Sequence, residues 1–194
     1  MKIILASGSK RRSLILNSCG IKHKAVVSGV KEYMNSKNPA HISMINARLK
    51  AEAVKEKVRT GYIIGADTVV LLGKKVIGKP RNAAKAKGML KSMSGKIIYV
   101  YTGLCVINAK TGNMSMGYER SAVKVRKIGP ADIEKYFKLL GPYDKAGGFS
   151  IEGAGSFIFD DIKGSYFNIL GLPMAKLEDV FNDIGLNLLK LVRT

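Results

Sequence analysis

Apolar residues in this chain fall into two alternating kinds of run. Some are short and continuous, rich in β-branched residues; others are longer and spaced at helical intervals. Residues 3–6 form a short apolar run that predicts a buried first strand. A helix is expected next, with Ser9 as N-cap, Gly20 as its stop, and Leu14, Ile15 and Cys19 along its inner face. A second strand is expected over residues 25–28. Asn38-Pro39 reads as a cap followed by an N1 proline, opening a long helix to about Arg59 that Gly61 ends. Ile42, Ile45, Leu49, Ala53 and Val54 recur there at helical spacing. Residues 62–65 and 68–72 look like a buried strand interrupted by Ala66-Asp67, with Val76-Ile77 pairing back on it. The pattern then predicts a helix from Asn82 to about Met93 and a long hairpin, 97–108 with 116–125, turning near Thr111-Gly112-Asn113. A helix from Gly129-Pro130 to Leu140, a strand over 155–161 and a last helix from Pro173 to near Gly185 complete it. Strand and helix signals alternate throughout, which argues for an α/β fold.

The 194 residues are 46% hydrophobic and 24% charged, ordinary values for one globular domain with a sizeable core. Charge changes the picture: 33 Lys+Arg against 14 Asp+Glu leaves +19. That balance points to an anionic partner: nucleic acid, an anionic membrane surface or a phosphorylated small molecule. The competing reading is a solvated lysine-rich surface, since the lysines are spread along the chain and form no tail. Cys19, Cys105, His23 and His41 have no CxxC or HExxH spacing, which argues against zinc. Two unclustered cysteines suit a reducing compartment, and a disulfide between them stays open. The first apolar run falls short of the ~7–15 residues of a signal peptide core. No run approaches the ~20 residues of a membrane span. A cytoplasmic protein without a membrane partner is expected.

Four clusters carry chemistry. Ser7-Gly8-Ser9-Lys10-Arg11-Arg12 lies between a strand and a helix N-terminus, where free N–H groups and the positive end of the helix dipole attract anions. Arg11 and Arg12 add forked donors that match phosphate oxygens. In Gly65-Ala66-Asp67-Thr68, Asp67 is a carboxylate within an apolar strand, where an unpaired charge is expensive; such residues bind metal or act as bases. The segment from Gly73 through Gly78-Lys79-Pro80 matches the front of a P-loop, but Pro80 supplies neither the hydroxyl nor the N–H that a P-loop needs. It reads as a hairpin carrying Lys79 to the site. The glycines of Asp144-Lys145-Ala146-Gly147-Gly148 suit a tight loop beside a ligand. Three of the clusters also have a plain structural explanation: a capped helix, a turn aspartate, a surface ion pair.

In series these motifs resemble the Maf family of nucleotide pyrophosphatases. Leu5-Ala6-Ser7-Gly8-Ser9-Lys10-Arg11-Arg12 is similar to its opening L-A-S-x-S-P-R-R, and Gly65-Ala66-Asp67-Thr68-Val69-Val70 to its G-A-D-T-V-V. Ala47-Arg48-Leu49-Lys50-Ala51, Gly78-Lys79-Pro80, Val100-Tyr101-Thr102-Gly103, Asp144-Lys145-Ala146-Gly147 and Gly171-Leu172-Pro173 follow in the family's order. Glu32 falls where the family has an acidic residue. The resemblance spans nearly the whole chain, 1–194. It implies a single α/β domain: a mixed, twisted sheet flanked by helices, with two lobes around a central cleft, as in inosine triphosphatases. The implied reaction is attack of water on a nucleoside triphosphate, giving the monophosphate and pyrophosphate. Asp67 would be the base, and Glu32 and Asp67 would hold Mg²⁺ or Mn²⁺. Arg12, Lys50 and Lys79 would grip the triphosphate, with Ser7 and Ser9 donating to it. Many members are homodimers, so a homodimer is an expected assembly.

Three positions depart from the family pattern. Lys10 replaces a proline, Ile98 stands where many members carry histidine, and Glu152 stands where the pyrimidine-selective branch carries glutamine. Glutamine donates and accepts, whereas an ionised glutamate only accepts and suits a donor pair such as guanine N1–H and N2–H₂. Arg11 and Thr68 keep the pyrimidine-branch residues, so the implied base specificity is mixed. The alternative functions are a basic nucleic-acid-binding protein or a cell-division regulator. RNP1-like runs, zinc-finger spacing and a basic helix are all missing, so weak nonspecific nucleic-acid binding is expected only as a side effect of charge.

Overall fold

The computed structural model describes residues 1–139 and 151–192. In chain order it contains β1 (Ile3–Leu5), α1 (Lys10–Ser18), β2 (His23–Ala25), α2 (Pro39–Lys55), β3 (Tyr62–Leu72), β4 (Lys75–Ile77) and α3 (Ala83–Met93). Then come β5 (Ile97–Asn108), β6 (Met114–Val125), α4 (Pro130–Leu139), a 3₁₀ helix (Gly153–Ile158), β7 (Phe159–Lys163), α5 (Tyr166–Leu170), α6 (Met174–Asn182) and a 3₁₀ turn (Leu188–Leu191). The strands form one seven-stranded sheet in the order β2-β1-β3-β5-β6-β7, with β4 also on β3. β1 pairs in parallel with β2 and β3, and the remaining pairs are antiparallel, so the sheet is mixed and open. The α/β expectation holds.

The pairing of β3 creates the opening that the site uses. β5 covers one edge of β3 along its whole length, Tyr62 to Leu72. The other edge is shared: β1 takes Tyr62 to Ile64, and β4 takes Val70 to Leu72. Between them, no strand among the described residues pairs with Gly65 to Val69 on that edge. The expected interruption at Ala66-Asp67 is therefore misplaced. β3 itself is continuous, and it is its neighbours that break off.

One face of the sheet carries α2, whose Ala47, Ala51 and Val54 pack on Ile4, Ile63, Cys105 and Ile107. The approach is backbone on backbone. A Cβ on Gly65 would lie 2.0 Å from the Ala47 carbonyl oxygen, and one on Gly103 would lie 2.3 Å from the Ser43 carbonyl carbon. These glycines let α2 settle onto the sheet directly above Asp67. Its start is as expected: Asn38 caps it through hydrogen bonds from the N–H groups of Ala40 and His41, with Pro39 in the first turn. On the opposite face, Ile15 and Leu16 of α1 and Leu177, Val180 and Phe181 of α6 pack on Ile3, Leu5, Ile64 and Leu104. A third apolar cluster, including Val70, Leu90, Met93, Val100, Val123 and Phe159, fills the far end of the long strands.

Several local expectations are corrected. Leu14 is 65% exposed, and Arg12 and Leu16 take the buried side of α1. The buried side of α2 is Ile42, Ser43, Asn46, Ala47, Ala51 and Val54, turned away from Ile45, Leu49 and Ala53 because polar residues there face the site. That helix ends at Lys55 rather than near Arg59, β2 lies two residues earlier than expected, and a 3₁₀ helix occupies most of the strand expected over 155–161. Cys19 and Cys105 are both free thiols, and burial pushes Cys105 up to about 12. Among the described residues, no helix is long and apolar enough to cross a membrane.

Candidate active site

Asp67 points from the unpaired stretch of β3 toward α2 and is almost completely buried. A carboxylate in that position must be compensated. Lys50 Nζ donates to its Oδ1 at 2.5 Å, and Asn46 Nδ2 donates to its Oδ2 at 3.0 Å. Four residues apart, Asn46 and Lys50 share one face of α2. Lys50 Nζ also donates to Glu32 Oε1 at 2.9 Å, so one ammonium bridges both carboxylates. Glu32 comes from the segment between β2 and α2. That segment is pinned by Asn46, which accepts from Tyr33 N–H at 2.6 Å and donates to the Tyr33 carbonyl at 3.1 Å.

Burial pushes the Glu32 carboxyl up, but the charge and hydrogen bond of Lys50, with Lys79 and Arg12 farther off, outweigh it and hold it below its ordinary value. A carboxylate depressed on folding adds stability above its unfolded value, and loses it as the pH falls through the folded one. The stability gap between wild type and Glu32→Gln is therefore expected to shrink on acidification below about pH 4.3, the unfolded glutamate value. Urea denaturation midpoints across this range measure it, and a gap independent of pH would refute the assignment.

The other wall of the opening is held by Arg12. Its Nε donates to the Gly171 carbonyl at 2.7 Å. Nη1 donates to Ala66 O at 2.9 Å and Ser7 Oγ at 3.2 Å, and Nη2 donates to Thr68 Oγ1 at 3.0 Å. Burial lowers the affinity of this guanidinium for its proton, while Asp67 and Glu32 favour the charged form. The Ala66 carbonyl it satisfies belongs to the unpaired edge of β3. Gly171 adopts φ +98°, and a Cβ there would lie 3.1 Å from Thr68 Oγ1, so glycine is required for the approach. Ser7 Oγ also accepts from Ser9 N–H at 3.2 Å, while the Ser9 side chain makes no capping hydrogen bond. Arg11 Nε lies 3.2 Å from Glu152 Oε2, linking the start of α1 to the residue before the 3₁₀ helix.

The structure thus brings Glu32, Lys50 and Asp67 into one cluster and Ser7, Arg12 and Thr68 into another, with Arg11 and Glu152 paired. Lys79 is exposed just after β4 and acts on Glu32 through its charge. The Asp144-Lys145-Ala146-Gly147-Gly148 motif lies outside the described residues. Among the described residues there is no group of three or more His, Cys, Asp or Glu that could hold a metal ion. The sequence reading missed Asn46, and it quoted Gly171 only as part of the Gly171-Leu172-Pro173 motif, without a role. A polar residue one helical turn before Lys50 was a usable signal for Asn46.

A buried carboxylate flanked by cations, on the unpaired edge of a mixed α/β sheet, is an arrangement suited to an anionic substrate. The family model described as Maf-like protein matches residues 2–184. The dTTP/UTP pyrophosphatase of Dictyoglomus thermophilum is 37% identical over 190 residues, covering 97% of this chain and 98% of that one. The dTTP/UTP pyrophosphatase of Bacillus cereus is 41% identical over 177 residues, covering 91% and 86%. This chain belongs to the Maf-like protein family. The solved Staphylococcus aureus Ham1 protein overlays with a TM-score of 0.45 at 10% identity, over 64% of this chain and 72% of that one.

Proposed function

We propose that this chain is a nucleoside triphosphate pyrophosphatase, releasing pyrophosphate and a nucleoside monophosphate. The observation that carries the reading is Asp67, a buried carboxylate fixed by Lys50 and Asn46 at the unpaired edge of β3. The names of the two relatives support the same reaction. Held this way, Asp67 accepts the proton of an attacking water. Lys50 and Lys79 neutralise charge on the phosphates. Ser7 Oγ accepts from two N–H groups, which leaves its own hydrogen to donate to a phosphate oxygen. Arg12 has four of its five N–H groups engaged within the protein, so it offers a phosphate one Nη2–H and otherwise holds the wall in place.

Glu32 and Asp67 fit a hard divalent cation such as Mg²⁺ or Mn²⁺, because carboxylate oxygens suit it and a cation already bridges them as the Lys50 ammonium. Such a metal would add Lewis-acid stabilisation of the phosphoryl oxygens. The separate apolar cluster at the far end of the long strands supports one domain with two lobes.

Base choice is read as mixed. The Arg11–Glu152 pair places an acceptor beside a donor, where a glutamine would supply both from one side chain. The test is turnover of a panel of standard and methylated nucleoside triphosphates with Mg²⁺ or Mn²⁺, with products separated as monophosphate plus pyrophosphate or diphosphate plus phosphate. Pyrophosphate release is expected, and Glu152→Gln is expected to shift the ratio of GTP to UTP turnover toward UTP. No turnover by folded, metal-supplied protein would overturn the reading, and an unchanged ratio would remove Glu152 from base choice.

A further inference from the structure

Behind Thr68 the hydrogen bonds continue into the core. Thr68 Oγ1 and Thr102 Oγ1 are 2.9 Å apart on adjacent strands, and Thr102 Oγ1 donates to the Asn168 main-chain carbonyl at 3.0 Å. The two threonines are in direct register across β3 and β5, so their side chains share one face. Asn168 is anchored in turn: its Nδ2 donates to Val100 O at 3.1 Å and to Ser121 Oγ at 2.9 Å. Its N–H donates to Ser165 Oγ, the cap of α5. Thr102, Ser121 and Asn168 are all fully buried.

Every proton in this chain has a fixed direction. A guanidinium only donates, so Thr68 accepts from Arg12. A carbonyl only accepts, so the single hydroxyl hydrogen of Thr102 goes to Asn168. The hydrogen between the threonines must then come from Thr68. We propose that Thr102 and Asn168 are positioning residues, which orient Arg12 through Thr68 and make the Thr68 hydroxyl an acceptor toward a bound nucleotide. Neither residue touches substrate. Their effect reaches the site through Arg12, which sets the positions of Ser7, Ala66 and Gly171. The part concerning substrate rests on the pyrophosphatase reading, whereas the hold on Arg12 does not.

Thr102→Val keeps the shape of the side chain and removes the link; Thr102→Ser keeps the hydroxyl. Nitrogen-15 spectra of the arginine side chains read the hold on Arg12 without any activity. In wild type, Arg12 is expected to show slow rotation about Nε–Cζ and separate Nη signals. Exchange between those signals is expected to be faster in Thr102→Val and unchanged in Thr102→Ser. For the best nucleotide, Thr102→Val is expected to lose about tenfold in kcat/KM, chiefly through KM, because small displacements of positioning groups carry large rate effects. Thr102→Ser stays within about twofold on the same argument. Assays run well below each variant's thermal midpoint, so a purely structural role would move the midpoint and leave kinetics and Arg12 signals unchanged; that result overturns the proposal. Freely rotating Arg12 in wild type overturns it without any variant. If wild type turns over no nucleotide, the pyrophosphatase reading falls, and the Arg12 spectra still decide the positioning role.

Discussion

Asp67→Asn is expected to lower kcat by about 10²- to 10⁴-fold, the usual contribution of a positioned general base. The amide has the shape of the carboxylate and a far weaker affinity for a proton, so the variant removes the proposed base and little else. The local structure should largely survive. Asp67 accepts from Lys50 on one oxygen and Asn46 on the other. An asparagine can accept from one of these and must present its NH₂ to the other, so about 1.5–3 kcal/mol of stability goes with the lost charge-assisted contact. Pyrophosphate release under saturating substrate, with the denaturation midpoint as control, separates the two effects. A kcat within tenfold of wild type would take the base role from Asp67, and Glu32, joined to it through Lys50, would be tested next.

Gly65→Ala is expected to have the largest effect on the fold. The added methyl would sit 2.0 Å from the Ala47 carbonyl oxygen and 3.0 Å from both the Ala47 carbonyl carbon and the Ala51 Cβ. Backbone cannot swing aside as a long side chain can, so α2 must lift off β3. Overpacking of this kind costs about 3 kcal/mol or more, a large part of the ~5–15 kcal/mol that holds a domain together. The same displacement carries Asn46 and Lys50 away from Asp67, so the surviving folded protein loses activity as well. Denaturant midpoints measure the first effect and kcat of the folded fraction the second. A variant with the wild-type midpoint would show that α2 has slack that the contacts do not suggest.

Much of this arrangement was legible in the chain. The Asn38-Pro39 helix start, the 97–125 hairpin and the strand that turns back at Gly73 were all written in local turn and cap chemistry, which acts within a few residues. Asp67 stood out because a carboxylate within an apolar strand demands compensation. What compensates it was hidden, since Lys50 and Asn46 meet it only through tertiary packing. The buried side of α2 was misjudged for the same reason: a helix facing a polar site turns Ser43, Asn46 and Lys50 inward, and an apolar stripe cannot register that. The break at Ala66-Asp67 was attributed to the strand because sequence reports what a segment prefers, and strand pairing belongs to its neighbours. Arg12 was expected to serve phosphate alone, and nothing local revealed that carbonyls 54 and 159 residues away would claim its donors.

The shared edge of β3 also sets a length. β1 lets go after Ile64 and β4 takes hold at Val70, which leaves residues 65 to 69 between the two ends. At about 3.3 Å per residue, that stretch is a slot of roughly 16 Å. Side-chain substitution can recolour its walls, as at Thr68, but cannot lengthen it. Only moving the register of β1 or β4 against β3 would do so, and a one-residue slip would turn each strand's inward side chains outward. The slot is thus a ruler cut into the backbone: the side chains at its rim are free to change, while the span between its ends is fixed by the same hydrogen bonds that hold the sheet together.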